Sequence, residues 1–523
     1  YHIMGGMQDN GSWRGPAYTF IDGGIKNYYW DNLWGGDGFD VMPDPEDANW
    51  VYAMSQGGSV GRYNTATGEQ TYIKPPAPDA TTLMRFNWNA AIAQDPFDKK
   101  TIYFGSQFLH KSTNKGASWK IISADLTTND SAKIDQTNNG GLSVDITGAE
   151  NHCTILAIAP SSVQKDLIWV GTDDGNVQFT ANGGNTWNNV TANITGLPKG
   201  AWIAQVRAST YNANEAFVVA NNYRQGDFAP YIFRTTDGGK TWTNIVDAKK
   251  VNGYALTVLQ DPVEPNLIFA GTEQGFYVSL DNGASFQQWK NGYPSVSTYD
   301  FAIQDREADL AIATFGRSLW VLDDIRPLRK LAATKGEQNK FFVSVPNAIH
   351  NLSIKNSPYE WSTWGMWDAP NKPTGLPISV NVTDSTKKVK VQIKDMKDQV
   401  IRNLTFKVDS GLNRNYWGFE QKGKRAAGAP KTGGGGGRRF FDEEGGAAAN
   451  EDDKEFTGRE VIAGKYKLVV TAGANTDSVW VEVKDDPRLS NRTELLLAQD
   501  AALEKLQPVN DKYNAALDLI QDA

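Results

Sequence analysis

An eight-residue box, Ser/Thr-x-Asp/Asn-x-Gly-x-Ser/Thr-aromatic, occurs four times in this chain, as STNKGASW (112 to 119), TANGGNTW (180 to 187), TTDGGKTW (235 to 242) and SLDNGASF (279 to 286). Such repetition admits few folds, because every copy must build the same supersecondary unit. The residue types describe a hairpin turn. Asn114, Asn182, Asp237 and Asp281 accept backbone N–H bonds, the glycine takes a positive φ, and the aromatic packs between neighbouring sheets. The box is therefore a structural staple. Seven second-strand and turn signals share its rhythm: YHIMGGMQDNG, WVYAMSQGGS, TIYFGSQF, LIWVGTDDG, EAFVVANNYRQGD, LIFAGTEQG and LAIATFGRS. Spacings of roughly 42 to 67 residues suit four short strands per unit, which predicts an all-β propeller of about seven four-stranded blades over residues 1–330.

Composition agrees with many short strands joined by tight turns, since 50 glycines and 17 tryptophans accompany 11% aromatic residues. A net charge of −8 gives no basic field for a phosphate backbone, so no nucleic acid partner is expected. The single cysteine, Cys153, excludes an internal disulfide framework, and four histidines leave little material for a metal cage or a Ser-His-Asp triad. No cofactor is implied. No apolar run reaches the roughly 18 residues of a spanning helix, so an integral membrane protein is not expected. The chain opens at YHIMGGMQDNGSW, without an initiator Met or a signal segment, and is expected to be a trimmed piece of a longer precursor.

QDNGSWRGP, RFNWN, DLTTND, TGAENHCTI, GTDDG, PYIFRTTDGGKTW, GTEQGFYVSLDNGASF and GRSLWVLDD, in this order, resemble the Asp-box (bacterial neuraminidase repeat) propellers of the bacterial sortilin-like family. Members often carry glycosyl hydrolase names that follow the repeat itself. The resemblance implies an extracytoplasmic bacterial protein with a second propeller upstream, a first blade lacking its innermost strand, and a ring that draws a strand from elsewhere. After the propeller, 331–375 reads as a connector with Trp361, Trp364 and Trp367. The alternation in 376–487 reads as a β-sandwich resembling the Ig-like domain of flagellar hook-capping proteins. Its Gly-rich insertion 423–455 is expected to be a mobile loop. Residues 488–523 read as a short C-terminal helical segment, capped near Asn491 and divided in two by Pro508.

In a four-stranded blade the turn between strands two and three opens on one face and the boxes on the other. The first face surrounds the channel mouth, where loops on a rigid scaffold carry function. It is predicted to gather Gln8, Asp9, Gln56, Arg85, Trp88, Gln107, Asp173, Asp174, Glu273, Gln274 and Arg317, with a longer loop, NNYRQGDFAP, at 221 to 230. A glycosidase needs two carboxylates across the scissile bond, and Asp9, Asp173 and Glu273 are the catalytic candidates, with Glu150 also available. In xyloglucanase-type double propellers a catalytic Asp occupies a TDVGG-type turn. SQGGS stands there in this chain, with Gln56 in the acid's place, and an amide is no base. Sialidases resemble the chain in their boxes but grip substrate with three arginines. Arg85, Arg207, Arg224 and Arg317 are not placed together by sequence. Asp37 and Asp40 in WGGDGFD are candidate ligands for a hard cation, set against a plain turn role. The leading expectation is a bacterial surface or periplasmic protein whose rim binds a protein or glycan ligand within a larger assembly. The alternative is a glycoside hydrolase with part of its site outside this piece.

Overall fold

The computed structural model describes all residues except 22, 136–150, 335–339, 356–367, 384–385, 430–454 and 523. Two compact units emerge, Tyr1–Ala17 with Asn27–Ile325, and Tyr18–Lys26 with Arg326–Ala523.

The first unit is a β-propeller of seven antiparallel sheets in chain order. Its three-stranded first sheet holds His2–Met7, Gly11–Pro16 and Asp31–Trp34. Five four-stranded sheets follow, with innermost strands Val41–Pro43, Ile92–Gln94, Ile155–Pro160, Trp202–Ala208 and Ala255–Gln260. A three-stranded seventh sheet, Thr298–Gln304, Asp309–Thr314 and Leu319–Leu322, ends the series. Apolar residues from consecutive sheets fill each gap, as with Leu33 against Val51 and Ala53, or Trp169 with Ile203 and Trp242. The first sheet also meets the last: Tyr1 donates its hydroxyl to Asp309 at 2.6 Å, and Gly5 lies against Leu319.

The four boxes fold alike, and their centre is the first residue rather than the third. Ser112, Thr180, Thr235 and Ser279 are buried, and each hydroxyl accepts the N–H of the glycine four residues on, at 2.8 to 2.9 Å. The same hydroxyl donates to the Asx carboxyl or amide oxygen at 2.8 to 2.9 Å. That oxygen in turn accepts the backbone N–H of the seventh residue. Asp and Asn are interchangeable because the seventh-position hydroxyl reverses its role. It donates to Asp237 and Asp281 at 2.6 Å but accepts from the amides of Asn114 and Asn182 at 2.9 Å. The glycines at 116, 184, 239 and 283 all have positive φ, and a Cβ there would meet Ile73, Ile122, Trp169 with Val190, or Ile245 of the preceding sheet. The Trp119 and Trp187 indoles donate to the carbonyls of Ile73 and Ile122. Each box thus closes its own hairpin and docks on its neighbour.

The second unit is a two-sheet sandwich. Lys388–Lys394 alternates exposed and buried positions, which turns Val389, Val391 and Ile393 onto a core shared with Ile378, Trp417 and Leu468. The sandwich begins earlier than its sequence pattern suggested. Phe342–Ser344 pairs with Leu376–Val382, and Ala348–His350 adds a parallel edge strand beside Asn475–Lys484, so part of the expected connector is sheet. Tyr18–Lys26, inside the stretch read as propeller, belongs to this unit as well, through an Ile25–Ala369 bridge and a 2.9 Å Lys26–Asp368 ion pair. Trp361, Trp364 and Trp367 lie outside the described residues, as does most of the Gly-rich insertion. One helix runs from Arg492 to Asp522 with Pro508 inside it, which corrects the expected division in two. An interior proline costs roughly 3 kcal/mol. Asn510 and Asn514 on one face clasp the backbone of Arg425 to Gly428, and Asp518 pairs with Arg425 at 2.7 Å, contacts that offset the lost bond.

Thr235→Val keeps the shape but strips the buried N–H of Gly239 of its acceptor, so urea unfolding should show a loss of about 1 to 3 kcal/mol. His110 is buried beside the Ser106 hydroxyl at 2.8 Å, and burial pushes its pKa down to about 4. The unfolded imidazole takes its proton first, so this stabilisation is present above the ordinary histidine value and is lost as pH falls toward 4. The stability gap between the wild type and His110→Gln should therefore narrow as pH falls through that window.

Candidate functional site

The rim residues expected from sequence divide into two sets. Asp173 is fully buried, and its carboxylate accepts the backbone N–H of Thr154 (2.8 Å), the Thr154 hydroxyl (2.7 Å) and the Asn87 amide (2.9 Å). Burial first, and then the neighbouring Asp174 charge, push its pKa up to about 7 against those bonds. Asp174 accepts the N–H and hydroxyl of Thr128, both at 2.6 Å, as well as the Thr172 hydroxyl. Arg85 is buried too: its guanidinium reaches Asp125 (2.6 Å), the Cys153 carbonyl (3.2 Å) and Thr127 (3.4 Å), while Gln107 accepts its N–H at 2.9 Å. Asp173, Asp174 and Arg85 tie the third sheet to the fourth, and Gln107 pins the lead-in of the third sheet by donating to the Leu83 carbonyl at 2.9 Å.

Gln8 and Asp9 are exposed on the first hairpin, Asp9 with φ 63°, a conformation its short polar side chain tolerates. Asp37 accepts the Asp9 N–H at 2.7 Å and gives its own N–H to Gln56 at 2.9 Å. With Asn10, Gly11, Gly35 and Gly36 they line a wide-open concavity of about 590 Å³. Among the described residues, no three His, Cys, Asp or Glu side chains come together as metal ligands. Trp88 and Glu273 are half-buried, and Arg317 is exposed with its guanidinium on the Gly316 carbonyl at 2.8 Å. Glu150 lies outside the described residues.

The rim's most concentrated chemistry is a cluster of aromatics that sequence reading passed over. The Arg224 guanidinium lies 3.3 Å from the Trp202 ring centroid and 4.4 Å from that of Tyr223. Tyr223 stacks on Tyr254 at 4.4 Å, and Phe228 approaches Tyr254 at 6.3 Å. Tyr299 and Phe315 stack at 6.1 Å, and Phe228, Tyr299 and Phe315 are 57%, 51% and 65% exposed. Three of these rings share a register that the sequence carried all along. Trp202, Tyr254 and Tyr299 each stand at the head of an innermost strand, in sheets five, six and seven. Arg224 and Phe315 come from the second-to-third strand connections of sheets five and seven, and Phe228 is the second residue of sheet five's third strand, Asp227–Thr235.

On the inner strands, Asp300 of sheet seven accepts from Gln205 (3.1 Å) and Arg207 (3.0 Å) of sheet five and Thr257 (3.4 Å) of sheet six. Asp40, on the approach to sheet two, is open to solvent yet stands close to the inner-strand groups. Desolvation and the Asp300 charge carry its pKa to about 7, opposed by Arg207 and a hydrogen bond with Asn89. The innermost strands thus converge on a polar axis.

No protein-family profile and no curated protein sequence matches the chain. Solved structures do. The extracellular domain of a protein assigned to a hybrid two component system from B. thetaiotaomicron aligns over 92% of this chain and 55% of its own, with 12% identity and a TM-score of 0.40. PorZ, a surface component of the type-IX secretion system of Porphyromonas gingivalis, aligns over 87% and 52%, with 13% identity and a TM-score of 0.39. YCF48 bound to D1 peptide aligns over 62% and 93%, with 10% identity and a TM-score of 0.37. The chain spans about half the length of the first two. Among the described residues, no helix is long and apolar enough to cross a membrane.

Asp173→Ala leaves the Thr154 N–H and hydroxyl and the Asn87 amide without their acceptor in a buried site. Chemical denaturation should show a loss of about 2 to 4 kcal/mol, as expected for a clamp between sheets.

Proposed function

We propose that the propeller is the ligand-binding part of an extracytoplasmic bacterial protein of the Asp-box type, and that its aromatic rim docks a protein ligand within a larger surface assembly. The observation that carries this reading is the exposure of Phe228, Tyr299 and Phe315 beside the Trp202–Arg224–Tyr223–Tyr254 stack. Trp, Tyr and Arg are the residues that dominate protein-interface energetics, and clustered exposed rings mark an interaction site. A sugar platform needs free ring faces. Here Trp202 is covered by Arg224, and Tyr223 is engaged by both Arg224 and Tyr254, which favours a protein over a glycan. A hydrolase reading finds less support, because Asp173 is spent on Thr154 and Asn87, and Asp9 and Glu273 stand on hairpins of the first and sixth sheets.

A photo-crosslinking residue at 228 or 315 should capture one defined protein from the native host envelope, while the same residue at exposed Val400 should not. Tyr254→Ala with Phe315→Ala should then weaken the captured partner at least about tenfold without lowering the unfolding midpoint. Equal crosslinking at all three positions, or glycan binding lost with the same substitutions, refutes the reading.

A further inference from the structure

Arg224 differs from most arginines of the propeller, though exposed Arg317 also lacks a carboxylate among the described residues. Arg62, Arg85, Arg207 and Arg234 each meet a carboxylate within 3.2 Å. Among the described residues Arg224 meets none, and its one hydrogen bond is a 3.5 Å contact with the Asn221 amide oxygen. Arg224 is exposed to solvent, yet the protein packed around its guanidinium as it lies against Trp202 and Tyr223 lowers its pKa. A second cation stands nearby. Lys133 likewise has no carboxylate within ion-pair distance among the described residues, and its ammonium and the Gln225 amide nitrogen flank the open space over Gly200. A Cβ there would lie 3.6 Å from the Lys133 Nζ and 3.8 Å from the Gln225 Nε2, and Gly200 has a φ of 72°.

His152 lies beside these two cations. Its ring lies edge-on to Trp202 at 6.3 Å, and its pKa falls to about 4, through burial first and then through Lys133 and Arg224, with Asp174 and Asp130 opposing. Both acids keep their charge but are held by other donors and make no ion pair with either cation. Asp174 is bonded to Thr128 and Thr172, and Asp130 caps the N–H of Ala132. In a chain of net charge −8, neither cation has a carboxylate within ion-pair distance among the described residues, although buried Asp173 acts on Arg224 and Asp174 and Asp130 act on His152 from further off.

We propose that Arg224, Lys133 and Gln225 form an anion subsite for a glutamate or aspartate side chain of the docked protein, set beside apolar residues that fill the Tyr254–Phe228 and Tyr299–Phe315 edges of the rim. The proposal rests on the protein-docking reading above. The Arg224 guanidinium centre lies 3.3 Å from the indole centroid, and a guanidinium placed over a ring can meet a carboxylate with paired N–H donors. The surrounding rings exclude water and strengthen the charge-assisted bonds.

Three labelled probes test it by fluorescence anisotropy: a peptide alternating glutamate with leucine and phenylalanine, the same peptide with glutamine for glutamate, and an oligogalacturonate as a carboxylate carried on sugar. The glutamate peptide should bind about tenfold or more tighter than its glutamine counterpart, with affinity falling as salt rises. Arg224→Gln should erase that preference, and Lys133→Gln should reduce it, while Lys133→Gln binds the glutamine peptide as the wild type does and both variants unfold at the wild-type temperature. Equal binding of the two peptides, both lost in the Tyr254→Ala, Phe315→Ala variant, overturns the anion subsite but leaves the docking rim standing. Absence of binding by either peptide, or binding indifferent to the aromatic substitutions, overturns the rim reading and this proposal together. Tighter binding of the oligogalacturonate than of the glutamate peptide overturns protein as the carrier of the anion.

Discussion

A buried hydroxyl in a hairpin turn holds the propeller's repeat together. In each box the first Ser or Thr serves as acceptor for a glycine N–H and donor to the Asx oxygen, within a turn whose glycine is pressed onto the preceding sheet. A β-carbon would collide with that sheet at Gly116 and Gly184 and crowd it at 3.2 to 3.3 Å at Gly239 and Gly283, and the backbone conformation is one that side chains rarely adopt. Turn geometry and sheet-to-sheet packing are therefore one constraint, and each sheet is placed by its neighbour before any loop on the opposite face is considered.

The opposite face is built by a second kind of joint. Buried carboxylates and a buried guanidinium span from sheet to sheet: Asp173 to Thr154 and Asn87, Asp174 to Thr128, Arg85 to Asp125 and Cys153. Adjacent acids in a Gly-rich turn look like a catalytic pair in sequence. The fold gives every oxygen a donor instead, and burying the two charges side by side requires those bonds. The rim is rigid on the side of sheets three and four for this reason. Against that fixed edge, sheets five to seven present Trp202, Arg224, Tyr254, Tyr299 and Phe315 with much of their surface open. The division suits a binding surface, with preorganised backbone beneath side chains not consumed by the fold.

Box spacing, strand rhythm and turn chemistry were sufficient, in the sequence alone, for an all-β propeller of seven sheets followed by a sandwich and a helix, because hairpins are local and their signals lie within a few residues. The same letters identified the face on which the second-to-third strand turns lie. Only the tertiary structure decided which residues of that face remain available. Asp173, Asp174 and Arg85 turned inward because partners from the neighbouring sheet or the link to it, up to 86 residues away in the case of Asn87, were waiting for them, and Gln107 because it bonds the backbone of Leu83 and Arg85. Trp202, Tyr254 and Tyr299 turned toward one another because three innermost strands start at the same end of the ring. Pro508 stayed inside one helix because Asn510, Asn514 and Asp518 hold it to a loop about 85 residues earlier. Hydrogen-bond partners and ring contacts of that separation leave no periodic trace in a sequence, so strands and turns were legible from the residues, and the working side chains were not.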